Sequence, residues 1–380
     1  MIQLFYVNVP SLHKNIRKQE SKCNETRAFK PRFSDWHIFR SKANQEATRM
    51  ATAEKWVMTK MFNGTPCLSN FKREEEVLRQ LDQDEFRCRA LVWSVDPYIR
   101  LFSTPSANQK AVMSFQLAEV IESKNSSFPV SSRVVGHFGW CTECITNGLD
   151  EYCEAYIAPE VCSLPLSATL GILGMPGITA YLGLMECCQV KEGNVVAITA
   201  AAGAVGHIAC QIAKIMGCTV IAFTGTDEKV SWLKTELGLK HVWNYKKSEI
   251  NDVLGKLDSK RVDCYFDNVG GAQSNTIMDY MEAGSRVCVC GSISEYNKGG
   301  SVEHFDYVKA KARKIRVRSI SVFCLQHKWS SAIHCLSQWV KQGKLKYHEH
   351  AYKGFDNIPR AFIEQISGEH YGKFVIYADP

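Results

Sequence analysis

The chain has 380 residues, 45% hydrophobic and 22% charged, with 46 Lys and Arg against 39 Asp and Glu for a formal charge of +7. That size allows two globular domains, and the composition excludes collagen-like, coiled-coil and disordered chains. No apolar run reaches the ~20 residues of a membrane helix, and ten basic but only four acidic side chains precede Met50. The remainder is therefore close to neutral, which argues against nucleic acid or a membrane surface as a partner.

Residues 1–49 carry no sustained period of 2 or 3.6 and read as a flexible N-terminal extension. The opening MIQLFYVNVP lacks the leading basic residues and the cleavage pattern of a secretory signal. Met50 reads as an alternative start, because alternating strand-like residues follow it. A mitochondrial presequence is the competing reading, opposed by the four acids and the lack of a basic amphipathic helix. The expected compartment is the cytoplasm, or the mitochondrion if 1–49 is a presequence. Sixteen scattered cysteines then read as reduced thiols.

From Trp56 to about Ile172, short runs such as FRCRALVWSV, FQLAEVIES and SRVVG are broken by Gly, Pro and Ser and predict a β-rich domain. Beyond it the pattern changes. NVVAIT, TVIAFTG, VDCYFDNV and SRVCVCG read as buried strands alternating with helices, the signature of a doubly wound parallel sheet. The tail from about Lys344 predicts a helix, NIPRAFIEQISG, and a strand, GKFVIY, that return to the first domain. The expected division is 50–172 with 344–380 as one domain and 173–343 as the nucleotide-binding domain.

Ala200–Gly206, AAAGAVG, follows a predicted strand and opens a helix. Gly203 and Gly206 occupy the last two glycine positions of the dinucleotide fingerprint, and Ala201 stands at the first. Small residues let the backbone approach a pyrophosphate at the helix N-terminus. The next strand ends uncharged, at Phe223-Thr224-Gly225-Thr226, and Lys229 lies one helical turn on. No acid awaits the ribose hydroxyls there, so the site favours NADPH.

SVDPYIR (94–100), ESKN, LGMPGITAYLGL, AAAGAVG, GTDEK, NYK, FDNVGG and CGSISEYN occur in that order. Together they closely resemble the prostaglandin reductase family of zinc-independent medium-chain dehydrogenase/reductases, from about Ala53 to Ile376. The resemblance implies a Rossmann-type sheet beside a GroES-like catalytic domain built from both ends of the chain. It implies NADPH-dependent reduction of the carbon–carbon double bond of α,β-unsaturated ketones and aldehydes, 15-oxoprostaglandins included, and a homodimer. By position, Gly203, Ala204, Val205 and Gly206 should lie along the pyrophosphate, Lys229 at the 2′-phosphate and Tyr245 beside the adenosine. Asn268, Cys290, Gly291, Ser292, Ile293, Ser294, Glu295 and Tyr296 should line the nicotinamide side, with Ile320, Ser321 and Val322. His370 stands where the family has an asparagine, and Ser114-Phe115 where it has smaller residues.

In this chemistry hydride adds at the β-carbon and an enolate forms, so a donor to the carbonyl oxygen lowers the barrier. Tyr296 is the expected donor, and Tyr98 is expected to shape the pocket. No general base is evident, which leaves water as the proton source. Two other readings stand beside this one: a quinone oxidoreductase of the same fold, and an NADPH-binding protein that has lost turnover through the Ser114-Phe115 and His370 departures. Cys141, Cys144, Cys153 and Cys162 invite a zinc reading, but the later spacings are long. His137 is followed by Phe138 where zinc dehydrogenases carry Gly-His-Glu. No metal is expected, and His137 reads as an ordinary strand histidine.

Overall fold

The computed structural model describes residues 51–106, 108–161, 163–256, 261–298 and 305–379. The readings of 1–49 and of Cys162 lie outside them. Strands Thr52–Met58 (β1) and Phe71–Val77 (β2) form an antiparallel hairpin. Phe86–Val95 (β3) is the longest strand, and a single helical turn, Ile99–Phe102 (α1), follows it. Gln116–Ser123 (β4), Arg133–Gly136 (β5), Glu143–Thr146 (β6) and Tyr156–Ile157 (β7) add antiparallel neighbours around β3.

Helix Met175–Leu182 (α2) leads into a parallel sheet. Its strands are Val195–Ile198 (β8), Thr219–Thr224 (β9), His241–Asn244 (β10), Cys264–Asp267 (β11), Arg286–Val289 (β12) and Arg316–Ser319 (β13). They lie in the order β10-β9-β8-β11-β12-β13, every pair parallel. Helices Gly206–Ile215 (α3), Asp227–Thr235 (α4), Ile250–Gly255 (α5), Gly271–Met278 (α6) and Tyr307–Ala312 (α7) make the crossovers. All four residues of β8 and of β11 are buried. Their side chains alternate between two cores: Val196 and Ile198 face one, Val195 and Ala197 the other. Covering on both faces is why these strands read as unbroken apolar runs.

After helix Trp329–Lys341 (α8) the chain crosses back. Glu349–Lys353 (β14), helix Ile358–Ser367 (α9) and Lys373–Tyr377 (β15) complete the other sheet, whose order is β14-β15-β3-β4-β5-β7 with β6 on β3. Strand β15 pairs antiparallel with β3, Phe374 opposite Val95. Gly368, at φ 74°, ends α9 in the left-handed conformation that glycine adopts at least cost. Lys373 is fully buried in β15. Its ammonium donates to Asp96 Oδ1 at 2.9 Å and to the Val95 carbonyl at 2.7 Å. Burial pulls the ammonium's pKa down and the Asp96 carboxylate opposes that pull. Gln365 of α9 donates to the same carbonyl at 2.8 Å. The loop after β3, which carries Tyr98, is thus held from below by the last helix and strand. No helix among the described residues is long and apolar enough to cross a membrane.

Candidate active site

The turn after β8 is held by backbone geometry that admits little substitution. Ala200 sits at φ 46°. A Cβ on Gly206 would lie 2.2 Å from the Ala200 carbonyl oxygen and 2.9 Å from Ala201 Cα, so no larger residue fits where α3 meets the strand. A Cβ on Gly203 would meet one described atom within 4 Å, the Ala200 oxygen at 3.3 Å, and otherwise open space. The glycine that packs and the glycine that faces outward are different residues. Together with Ala204 and Val205 they leave the first turn of α3 open to an anion. His207 donates from Nδ1 to the Gly203 carbonyl at 2.8 Å, and full burial drives its pKa down to about 4. The turn is also tied across the molecule: Gly372 N–H donates to the Ala202 carbonyl at 2.9 Å.

At the tip of β9, Thr226 caps α4 by accepting from the Lys229 N–H at 3.3 Å. Lys229 is 8% exposed, and its ammonium donates to the Gly368 carbonyl at 2.6 Å. Burial and the neighbouring charge of Lys246 both lower its pKa, with Glu228 opposing. The Tyr245 hydroxyl and the Lys246 stem flank Gly225, whose Cβ would lie 3.4 Å from the one and 3.6 Å from the other. Two mutually repelling cations beside a tyrosine and a bare glycine fit a phosphate, which would relieve the repulsion. Lys246 was not among the residues singled out from sequence, although it adjoins Tyr245 in NYK.

Residues 267–269 and 290–294 run side by side. Cys290 and Gly291 N–H donate to the Asp267 carbonyl at 2.8 and 3.1 Å, Ile293 N–H to that of Asn268 at 3.2 Å, and Ser294 N–H to that of Val269 at 3.2 Å. Asn268 donates from Nδ2 to the Thr199 carbonyl at 2.8 Å, linking this ladder to the end of β8. Beneath it the Asp267 carboxylate accepts from Tyr265, Ser274 and the N–H groups of Val269 and Gly270. Burial raises its pKa and these donors restrain the rise. The Tyr296 hydroxyl turns back over the loop, accepts from Ser292 N–H at 3.4 Å and lies beside Gly291. Burial pushes its pKa up to about 12, so the hydroxyl keeps its proton. Glu295 carries the ammonium of Lys298 and the Ser294 hydroxyl, each at 2.8 Å. Ile320 donates to the Val289 carbonyl at 3.0 Å, and the Val322 carbonyl accepts from Trp329 at 2.9 Å. Ser321 lies between them.

The second lobe brings an aromatic group to this edge. Tyr98 packs against the apolar cluster that contains Val322 and touches Ile320 and Phe323. Arg100 of α1 reaches Asn297, next to Tyr296, at 3.4 Å. Phe115 stacks on Phe323 at 6.1 Å and contacts His137 at 5.2 Å, while Ser114 donates to the Ser94 carbonyl at 2.6 Å. The two sequence departures are thus fully absorbed into packing. His370 is not turned to the glycine-rich turn. Its ring stacks on His350 at 3.9 Å, with Glu364 at 3.7 Å. These three are the described His, Cys, Asp and Glu residues whose ligand atoms gather within 4.8 Å. The Glu364 carboxylate among them is already engaged by Tyr352 and by Arg360 Nε at 2.7 Å. Burial raises the thiol pKa of Cys153, and a hydrogen bond with Cys144, with burial, raises that of Cys141.

Residues 204–338 match the family described as zinc-binding dehydrogenase, and residues 54–151 the family described as N-terminal domain of oxidoreductase. With the parallel sheet, its glycine turn and the facing β-rich lobe, these define a medium-chain dehydrogenase/reductase. Prostaglandin reductase 1 of Bos taurus is 40% identical over 337 residues, spanning 87% of this chain and 100% of that protein. NADPH-dependent curcumin reductase of Escherichia coli (strain K12) is 30% identical over 336 residues, 85% of this chain and 96% of its own. The solved structure of CurA in complex with NADPH from Vibrio vulnificus matches with a TM-score of 0.78 at 30% identity, over 86% of this chain and 99% of that one. The chain belongs to the prostaglandin reductase 1 family of medium-chain dehydrogenase/reductases.

Proposed function

We infer that the chain is an NADPH-dependent reductase of the carbon–carbon double bond of α,β-unsaturated ketones and aldehydes. One observation carries the choice of cofactor: the uncharged tip of β9, where Tyr245 and Lys246 flank Gly225 and Lys229 lies within reach of the Lys246 charge. The relatives named for prostaglandin and curcumin reduction support the substrate class. In this reading Gly203, Ala204, Val205 and Gly206 accept the pyrophosphate. Asn268, Cys290–Tyr296 and Ile320–Val322 border the nicotinamide. His370, at the family's asparagine position, is the remaining cofactor-side candidate, two residues before Gly372, whose N–H donates to the Ala202 carbonyl at 2.9 Å.

NADPH, when bound, supplies a hydride. The protein orients the enone so that its β-carbon meets that hydride, and holds the carbonyl oxygen as negative charge develops. Tyr296 is our candidate donor to that oxygen, because a hydroxyl that keeps its proton to about 12 offers a hydrogen bond at every working pH. Tyr98 shapes the pocket, with the His137 ring and the buried Phe115 packed behind it. The two sheets support a two-lobed division, 50–172 with 344–380 against 173–343.

We also propose a homodimer. Strand β13 is an edge of the parallel sheet, with Arg316, Arg318 and Ser319 exposed, and an edge of this kind can pair with a second copy. The free thiols among the described cysteines support a cytoplasmic enzyme. Steady-state oxidation of NADPH and NADH with a 15-oxoprostaglandin and with medium-chain 2-alkenals tests the activity. Turnover with NADPH is expected, and NADH preferred over NADPH would overturn the assignment. Size-exclusion chromatography with light scattering tests the dimer.

A further inference from the structure

His137, placed on a strand end by sequence and given no role there, is the centre of a buried polar line. Its side chain is 2% exposed. Nδ1 lies 3.0 Å from Asp150 Oδ2, and Nε2 lies 3.5 Å from the Tyr98 hydroxyl. Phe115, Tyr152 and Phe323 pack around the imidazole with ring centroids 5.2 to 6.3 Å away. The carboxylate is held in place as well, because Tyr152 N–H donates to its other oxygen at 2.6 Å. Burial raises the Asp150 pKa, but hydrogen bonds from His137 and Tyr152 outweigh this and keep it below the usual carboxylate range. A cavity of about 610 Å³, bordered by His137, Asp150, Tyr152, Phe102 and Met113, opens beside the line. Its rim includes the exposed Lys110 and Glu151, so water reaches the imidazole side of the line without crossing the nicotinamide edge.

We propose that Asp150, His137 and Tyr98 form the proton supply of the reductase, delivering the proton that the α-carbon takes after hydride addition. The proposal rests on the enone-reductase reading above. When hydride bonds to the β-carbon, the former π pair moves toward the carbonyl oxygen and leaves an enolate. The α-carbon then takes the proton of the Tyr98 hydroxyl, and the O–H bond breaks. The tyrosinate takes the Nε2 proton of an imidazolium at His137, which becomes neutral imidazole with Nδ1–H still donated to Asp150. Water in the adjoining cavity returns a proton to Nε2, and the hydroxide left behind is neutralised by a proton from the bulk buffer. The sum is one hydride and one proton added across the double bond. His137 and Asp150 act through Tyr98 and are positioning and proton-supplying residues, while Tyr98 meets the substrate.

The geometry gives each member one task. Asp150 balances the charge of the imidazolium, whose ring is itself almost wholly shielded while the carboxylate is partly open to solvent. The other ionisable neighbours are Asp96 and Cys153, which act on Tyr98, and Lys110, which faces Asp150. Burial, and after it the charge of Asp96, holds the Tyr98 hydroxyl well above its ordinary pKa, which makes the tyrosinate a strong acceptor for the returning proton.

The test compares wild type, His137→Gln and Asp150→Asn with an enone, NADPH and D2O buffers. Asp150 lies outside the core, so Asp150→Asn serves where His137→Gln fails to fold. Expected are a kcat loss of roughly 10²-fold for His137→Gln and an unchanged Kd for NADPH measured by fluorescence. Added imidazole should restore part of the rate. NMR of the product should find deuterium on one face of the α-carbon with wild type and on both faces with the variants. Wild-type kcat and facial selectivity retained in both variants overturn the proposal alone. No enone turnover by the wild type overturns the function reading and the proposal with it.

Discussion

The ammonium of Lys229 donates to the carbonyl of Gly368 at 2.6 Å, joining the helix after β9 to the end of the last helix of the chain. The side chain is already aimed and largely buried before any phosphate arrives, so little side-chain entropy is lost on binding. Lys229→Ala removes one charge-assisted contact, worth about 1.5–3 kcal/mol. The expected result is a KM for NADPH raised roughly 10- to 100-fold, with kinetics in NADH nearly unchanged. Steady-state assays with both cofactors check it.

Tyr296→Phe keeps the ring and removes the donor. If Tyr296 meets the developing oxyanion, kcat falls by about 10²-fold while the Kd for NADPH is kept. Wild-type turnover should show no loss from Tyr296 ionisation below pH ~11, since its pKa is pushed up to about 12. Full turnover in the variant removes Tyr296 from the mechanism.

Lys373 and Asp96 are both almost wholly buried and are paired at 2.9 Å. Lys373→Met leaves the Asp96 carboxylate unpaired in the core beneath Tyr98, a loss of about 3–5 kcal/mol. Adding Asp96→Asn to it should recover a measurable part. Urea unfolding of the single and double variants gives both numbers.

His207 is fully buried and its pKa falls from the ordinary 6.5 to about 4. Below 6.5 the unfolded chain takes up a proton that the folded chain refuses. Stability is therefore complete above pH 6.5 and is lost as the pH falls from there to about 4, by about 3 kcal/mol. His207→Asn, which can still donate to the Gly203 carbonyl, should flatten that part of the profile. Denaturant titrations at pH 7, 5.5 and 4.5 measure it.

Gly206→Ala sets a methyl 2.2 Å from a backbone oxygen at the start of α3. The turn must move to admit it. Loss of NADPH binding in calorimetry is expected, whereas Gly203→Ala, which meets only the Ala200 oxygen at 3.3 Å, should leave the fold intact and weaken binding.

The nucleotide sheet was legible in sequence because β8 and β11 are covered on both faces and their apolar runs have no competing reading. The AAAGAVG turn was legible because it is local: a strand, five consecutive small residues and a helix start in one stretch. His137 was not. A histidine at a strand end is chemically silent until Asp150, 13 positions on, folds back to it and Tyr98 comes from another strand end. Lys373 reads as a solvated lysine opening a strand, and Asp96, 277 positions earlier, is what makes its burial tolerable. Lys229 was placed at the phosphate, but its contact with Gly368 depends on how the tail packs, which no local pattern records. Residues whose role is set by neighbours along the chain were readable, and those set by the tail crossing back were not.

The pairing of Val95 with Phe374 also bears on how the chain is made. Strand β3 leaves the ribosome early, yet its Val92–Val95 edge waits for nearly 280 more residues before β15 arrives to cover it. Contacts so distant in sequence form late, and an open strand edge in the meantime is exposed to mispairing. The parallel sheet, local in its connections, can assemble during that wait and offer a surface for the tail to dock on. A chain released short of Gly372 would lack the lysine beneath Tyr98 and the Gly372 bond to the glycine turn. Quality control would thus meet a defect in both lobes from the loss of the last few residues.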